Sequence, residues 1–259
     1  MTTFERDGHR IAYEIHGVGR PVLLLHGVTV SFAGNYAAGG WIQRLNAAGY
    51  QVIGMDFRGH GSSDKPRDPA AYGTNNLAGD VLALLDHLGH TRASLVGYSL
   101  GSAIALNLLH RAPKRVGASV LIATGDGLLG HPPYDSGEVF ARLANALARE
   151  QFPEDLPSHE SSYWTFAVKV GGDRHAALAA VQARYPACTD DEARSIESPV
   201  LVVSGELDPV LGRGPRLARA IPCGTYVEIP GADHFVLCRH EAALSAVERF
   251  LRLHNGQSG

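Results

Sequence analysis

Ser99 stands in Gly97-Tyr98-Ser99-Leu100-Gly101, between the apolar run Ala93 to Val96 and a segment of helical period. A serine on a sharp strand-to-helix turn projects its hydroxyl above the edge of a sheet, and flanking glycines let the two backbones approach closely around it. In a chain with 30 glycines such a pentapeptide can arise by accident, so its weight comes from its place at the end of a strand. A serine hydroxyl is a poor nucleophile until a base takes its proton, and the base needs an acid to hold its tautomer. Asp208, in Ser204-Gly205-Glu206-Leu207-Asp208-Pro209, follows the apolar run Pro199 to Val203. His234, in Gly231-Ala232-Asp233-His234-Phe235, follows the run Thr225 to Ile229. Singly, each has a plainer reading: a helix N-cap, a turn residue before Pro209, a surface histidine. Together, at strand ends that open on one edge, they suit nucleophilic attack on a carbonyl carbon, with Ser99 attacking, His234 moving the proton and Asp208 orienting His234.

Other polar residues near these turns have structural readings. Glu206 could replace Asp208 only if its loop were shifted. His26 is expected to hold its loop by hydrogen bonds, and Asp56, Arg58 and His60 to fix a tight glycine turn. Asp126, after the run Val116 to Ile122, is the rival for the acid.

The elements that must position these residues read clearly. Thr3 to Arg6 and His9 to His16 form a hairpin about Asp7-Gly8, a pair that supplies the positive φ angles of a two-residue turn. Pro21 to Leu25, Tyr50 to Met55, Ala93 to Val96, Val116 to Ile122 and Pro199 to Val203 are near-continuous apolar runs, as expected of strands covered on both faces. Between them, Leu77, Val81, Leu84, Leu85 and Leu88 recur at helical spacing, as do Leu244, Val247 and Leu251 in the last segment, His240 to His254. Alternating strands and helices predict a mostly parallel sheet with helices on both faces.

From about Gly125 to Ile196 no buried strand is expected. Asp135 and Glu138 suit a capping box for a helix carrying Val139, Leu143 and Leu147. Further helical segments carry Tyr163, Trp164 and Phe166, then Leu178 and Val181. The core is therefore assigned to residues 1–124 and 197–259, and a helical insertion to 125–196.

The 259 residues carry a formal charge of −3, with 45% hydrophobic and 19% charged residues, which suits a globular protein with a substantial core and gives no reason to expect a nucleic-acid partner. Met1 to Glu14 holds Glu5, Arg6, Asp7 and Arg10 and lacks the apolar stretch of a signal peptide, and no run has the length of a membrane span. A cytoplasmic protein without membrane association is expected. The three cysteines, Cys188, Cys223 and Cys238, then read as free thiols, with a Cys223–Cys238 bridge as the alternative. The 13 histidines are scattered without metal-ligand spacing, so neither metal nor organic cofactor is expected.

From Phe4 to Leu253 the chain resembles the α/β-hydrolase family, as a serine carboxylesterase-like member with a helical cap. His26-Gly27 after Val22 to Leu25, Asp56-Phe57-Arg58-Gly59-His60-Gly61-Ser62-Ser63, the turn at Ser99, the loop ending at Asp208 and the Asp-His pair ending at His234 carry the likeness. The resemblance implies an eight-stranded sheet with the cap inserted after the sixth strand, and the chain order Ser, acid, His. It places oxyanion donors on the backbone N–H groups of Val28 and Leu100. It also keeps Asp126 as the rival acid, since some members carry theirs after that strand. The expected pocket residues are Thr29, Tyr98, Phe140, Trp164 and Phe166, with Phe152 and Tyr163 also supplied by the cap.

The expected activity is hydrolysis of an uncharged, fairly apolar carboxylic ester or lactone through an acyl-enzyme. Ser99 argues against dehalogenase or epoxide hydrolase chemistry, which needs an aspartate there. C–C bond hydrolysis, thioester cleavage and perhydrolysis use the same three residues, and a hydrolase-like ligand receptor is the alternative from another class. The expected partner is a small-molecule substrate, with the chain a monomer or homodimer.

Overall fold

The computed structural model describes residues 1–130, 136–151, 158–169 and 172–254. Asp135 of the expected capping box, Phe152 and the tail Asn255 to Gly259 lie outside the described residues, as does the side chain of Val139. Strands β1 (Thr2–Arg6) and β2 (His9–His16) form the expected hairpin, with φ of 52° at Asp7 and 75° at Gly8. There follow β3 (Arg20–Leu25), α1 (Trp41–Ala47), β4 (Tyr50–Met55), α2 (Thr74–His87), β5 (Ala93–Tyr98), α3 (Leu100–Arg111) and β6 (Val116–Ile122). After β6 come α4 (Ser136–Ala148), α5 (Ser158–Lys169), α6 (Arg174–Gln182) and α7 (Asp190–Arg194). The chain ends with β7 (Val200–Gly205), α8 (Pro215–Ala220), β8 (Gly224–Ile229) and α9 (Glu241–Leu253).

The eight strands form one sheet in the order β1-β2-β4-β3-β5-β6-β7-β8. The pairs β1–β2 and β2–β4 are antiparallel and the others parallel. Alternation along each strand splits the core in two. Leu23, Leu25, Leu95, Val200 and Val202 pack on one face with α2, α3 and α8. Val22, Leu24, Val96, Leu201 and Val203 pack on the other with α1 and α9. With both faces covered, the strands read as apolar runs, which is why they were visible in the sequence.

Between β6 and β7 the described residues contain helices and no strand, with α4 packed against α5 and α6. Leu143 and Leu147 of α4 are buried. Among the described residues no helix is long and apolar enough to cross a membrane.

The carboxyl edge of the parallel strands carries the loops that matter, as open α/β sheets require of a site. Asp56 organises one of them: its Oδ1 accepts from Phe32 N–H at 2.8 Å and its Oδ2 from Ser62 N–H at 2.8 Å. Arg58 leaves that turn instead of bracing it and forms a buried ion pair with Asp80 of α2, which Arg6 of β1 also reaches at 2.8 Å. This pair locks the hairpin edge to the helix beside it.

Candidate active site

Ser99 connects β5 directly to α3, with φ 52° and ψ −109°. A non-glycine residue at positive φ is strained and persists only where its surroundings hold it. Here they do: Ser99 N–H donates to Ile122 O at 2.8 Å, and the backbones around the turn are in contact. A Cβ at Gly97 would lie 2.3 Å from Gly101 O, and one at Gly101 would lie 2.1 Å from Leu25 O. Both glycines are therefore demanded by close backbone approach. Ser102 meets the same crowding with a small side chain, its Oγ 2.9 Å from both Gly97 O and Ile122 O.

The loops after β7 and β8 are joined by their own backbone. Glu206 N–H donates to Ile229 O at 3.1 Å and Leu207 N–H to Ala232 O at 2.9 Å. Glu206 spends its carboxylate on Gly231 N–H at 2.9 Å, a brace between the two loops. That brace places Asp208 and His234 side by side, 26 residues apart in the chain.

The three side chains form one hydrogen-bonded line. Ser99 Oγ lies 3.0 Å from His234 Nε2, and His234 Nδ1 lies 2.8 Å from Asp208 Oδ2. The charged acceptor assigns the proton to Nδ1, leaving Nε2 free to accept from the serine. Asp208 Oδ1 accepts from Val210 N–H at 2.8 Å and Leu211 N–H at 3.1 Å. Burial alone would raise the Asp208 carboxyl, but His234 and these two amides outweigh it, and its pKa falls below the usual carboxylate value. All three residues are buried.

The rival acid has another task. Asp126 Oδ1 accepts from Arg216 N–H at 3.0 Å and Leu217 N–H at 2.8 Å, satisfying the start of α8. His26 also matches its structural reading: Phe57 N–H donates to its Nε2 at 3.0 Å, its Nδ1 faces Gly27 O at 2.7 Å, and burial lowers its pKa to about 4. His26 thus ties the turn after β4 to the Gly27-Val28 segment.

That segment runs past Ser99. Gly27 N–H is held by Asn35 Oδ1 at 2.8 Å, a contact sequence reading missed. No described residue accepts a hydrogen bond from the backbone N–H of Val28 or Leu100. Both residues line the space beside Ser99, and Leu100 opens α3, where helix N–H groups favour negative charge. A carbonyl oxygen held there as it becomes an oxyanion would find donors already in place.

A cavity of about 440 Å³ opens at Ser99 and His234, lined among others by Val28, Tyr98, Tyr163, Phe166, Phe235 and Val236. Tyr98 donates its hydroxyl to His234 O at 2.5 Å, so it braces the histidine as well as lining the cavity. Burial drives its phenol pKa well above normal. Phe140 lines a smaller space on the far side of Ser99. Two expected pocket residues are elsewhere. Thr29 is fully buried at φ 65° and lies outside the lining of both spaces. Trp164 donates Nε1–H to Arg149 O at 3.1 Å, also outside both. At about 100° per residue, Tyr163 and Phe166 share a face of α5 that Trp164 leaves. Tyr163 itself is buried with its ring centroid 6.4 Å from His234 and 5.3 Å from Phe235.

All three cysteines are free. Among the described residues no group of three or more His, Cys, Asp or Glu is arranged to hold a metal ion.

A family model for the alpha/beta hydrolase fold matches residues 20–193. The chain belongs to the alpha/beta-hydrolase family. A protein of Mycobacterium tuberculosis H37Rv, BpoC, named as a non-heme bromoperoxidase, is 30% identical over 93% of this chain and 97% of its own. A hydrolase from Pseudomonas aeruginosa PA01 superposes with a TM-score of 0.79 at 25% identity, over 96% of this chain and 97% of that one. The enol-lactonase from Burkholderia xenovorans LB400 gives a TM-score of 0.74 at 25% identity, over 96% and 99% of the two chains. Each of these three covers at least 93% of this chain, more than the residues 20–193 that the family model matches.

Proposed function

We propose that this alpha/beta hydrolase is a serine hydrolase that cleaves a carboxylic ester or lactone of an uncharged, fairly apolar small molecule. The observation that carries the reading is the line of hydrogen bonds, 3.0 Å and 2.8 Å, from a strained serine through one histidine to one carboxylate. His234 takes the Ser99 proton as Oγ attacks the carbonyl, and the amides of Val28 and Leu100 hold the oxyanion. The alcohol leaves with the proton from His234. Water, deprotonated by His234, then releases the acid and restores Ser99. No step calls for a metal or an organic cofactor.

The mainly apolar lining of the 440 Å³ cavity, with Arg239 exposed at its rim, favours an uncharged substrate body. The similarity to an enol-lactonase supports the lactone arm. We assign residues 125–196 as a cap over this edge of the sheet, because Tyr163 and Phe166 of α5 reach the cavity at Ser99. Hydrolysis of p-nitrophenyl esters from acetate to octanoate tests the reading: Ser99→Ala should lose about four or more orders of magnitude in kcat/KM. Equal turnover by the variant would refute it.

The relative named as a non-heme bromoperoxidase favours a second reading, in which hydrogen peroxide replaces water as acceptor of the acyl group. Attack of peroxide on the Ser99 ester would give a peracid and free serine. Peracid formation that outpaces hydrolysis at equal acceptor concentration would select this reading.

A further inference from the structure

The space around Ser99 is two unequal chambers. The larger, about 440 Å³, includes His234, Phe235 and Val236 in its wall. The smaller, about 20 Å³, is walled by Leu100, Ala103, Leu128, Phe140, Leu143 and Val210, and no residue of the His234 loop enters it. Ser99, Val28 and Tyr163 border both.

The chemistry decides which end of an ester enters which chamber. The leaving oxygen must receive its proton from His234, so the alcohol lies on the His234 side. The carbonyl oxygen is turned to the amides of Val28 and Leu100. The acyl chain takes the direction that remains, away from His234 and into the chamber walled by Leu100 and Leu128. A cavity needs about 10–15 Å³ on this measure to hold one water. Twenty cubic ångströms therefore admits a methyl group or little more.

Resting on the ester-hydrolase reading above, we propose that the protein selects short acyl groups, of acetyl to propionyl size, carried on bulky apolar alcohols. Leu128 and Phe140 set the limit. Phe140 is held in place by stacking on Tyr185, with ring centroids 4.8 Å apart and planes 19° apart. Leu128 is held by its backbone: its N–H donates to Gly125 O at 3.1 Å and its carbonyl accepts from Cys188 N–H at 2.8 Å. Behind it lies a groove of about 770 Å³ between the start of α2, α3 and residues 184–192. Ala103 and Leu128 face both the small chamber and this groove, so the wall between them is one side chain thick. Shortening Leu128 leaves its backbone hydrogen bonds intact and opens the acyl chamber toward the groove.

Two substrate series test the assignment: p-nitrophenyl esters from acetate to octanoate, and acetates of alcohols from methanol to naphthylmethanol. The wild type should lose at least tenfold in kcat/KM between propionate and hexanoate, with no loss as the alcohol grows. Leu128→Ala should raise the hexanoate-to-acetate ratio at least tenfold. Phe140→Ala, at a half-buried position that tolerates truncation better, should move the ratio the same way. A wild type that prefers octanoate, one limited by alcohol size, or folded variants with an unchanged acyl profile each overturn the chamber assignment while leaving the role of Ser99 standing. Absence of ester cleavage by the wild type, or hydrolysis that survives Ser99→Ala, overturns the ester reading and this inference with it.

Discussion

Replacing Asp208 by asparagine changes few atoms, and the structure states what they must do. Three donors converge on the carboxylate: His234 Nδ1–H at 2.8 Å on Oδ2, and the amides of Val210 at 2.8 Å and Leu211 at 3.1 Å on Oδ1. Asparagine has one acceptor oxygen and one NH₂ group. The two backbone amides require the oxygen at the Oδ1 position, since an NH₂ group there would face two donors at close range. The NH₂ group then takes the Oδ2 position and donates to His234 Nδ1, which must give up its proton. The imidazole proton moves to Nε2, where it points at Ser99 and blocks the transfer that activates the nucleophile. A wrong tautomer of this kind costs about 10⁴ in kcat in a serine triad. At about 1.36 kcal/mol per decade this is roughly 5.5 kcal/mol of barrier. The assay is kcat on p-nitrophenyl acetate, with thermal unfolding to confirm that the variant is folded. The companion is Asp126→Asn, whose side-chain oxygen can still accept from Arg216 and Leu217 at the start of α8. It should retain wild-type turnover within about twofold, a bound reflecting only the small effect of an N-cap change on folding. A folded Asp208→Asn within tenfold of wild type would refute the tautomer argument, and loss confined to Asp126→Asn would move the acid to Asp126.

Three further outcomes follow from the same geometry. Gly101→Ala places a Cβ 2.1 Å from Leu25 O, a backbone atom that cannot swing aside. Overpacking of this kind costs roughly 3 kcal/mol, so a Tm fall of the order of 10 °C is expected, with loss of kcat as Ser99 is displaced; an unchanged Tm would show that the turn can relax. Tyr98→Phe removes the hydrogen bond to His234 O, worth about 1 kcal/mol. Its Tm should fall by a few degrees and kcat more than KM should change, as a shift in KM alone would assign Tyr98 to substrate binding only. His26 is held neutral by burial, its pKa lowered from 6.5 to about 4. Between those pH values the unfolded chain binds a proton that the folded chain refuses, so stability is complete above about pH 6.5 and declines as pH falls toward 4. The full loss approaches ~3 kcal/mol at about 1.36 kcal/mol per pKa unit. Urea melts at pH 7 and pH 4.5 measure this loss together with that of His60, whose pKa burial lowers to about 3, and equal midpoints would show that both histidines are more accessible than the structure places them.

The strands were readable because burial on both faces leaves a local mark: Val116 to Ile122 is apolar at nearly every position and is buried throughout. The turn at Ser99 was readable for a related reason. Gly97, Gly101 and Ser102 are small because backbone lies against them, and backbone constraints recur as fixed letters at fixed spacing. Asp208 was separable from Asp126 only as a preference, since both follow apolar strands. What distinguishes them is the direction of a side chain, toward His234 in one case and toward the start of α8 in the other. Asn35 and Asp80 were missed altogether. Each is a polar residue whose partner, Gly27 in one case and Arg58 with Arg6 in the other, is unmarked in the sequence.

The pocket expectations divide along the same line. Tyr98 lines the cavity because it adjoins Ser99, whereas Thr29, which adjoins Val28, is turned inward by its positive φ. Trp164 and Tyr163 are neighbours in sequence on a helix, so 100° of rotation separates a residue beside His234 from one bonded to Arg149. Wall residues such as Leu128 and Phe140 meet Ser99 only through side-chain packing between segments that no local pattern connects. The consequence for perturbation is opposite in the two classes. A change at Gly97 or Gly101 alters whether Ser99 is held at all, because backbone must move to admit it. A change at Leu128 or Phe140 leaves Ser99, His234 and Asp208 where they are and alters only what fits beside them.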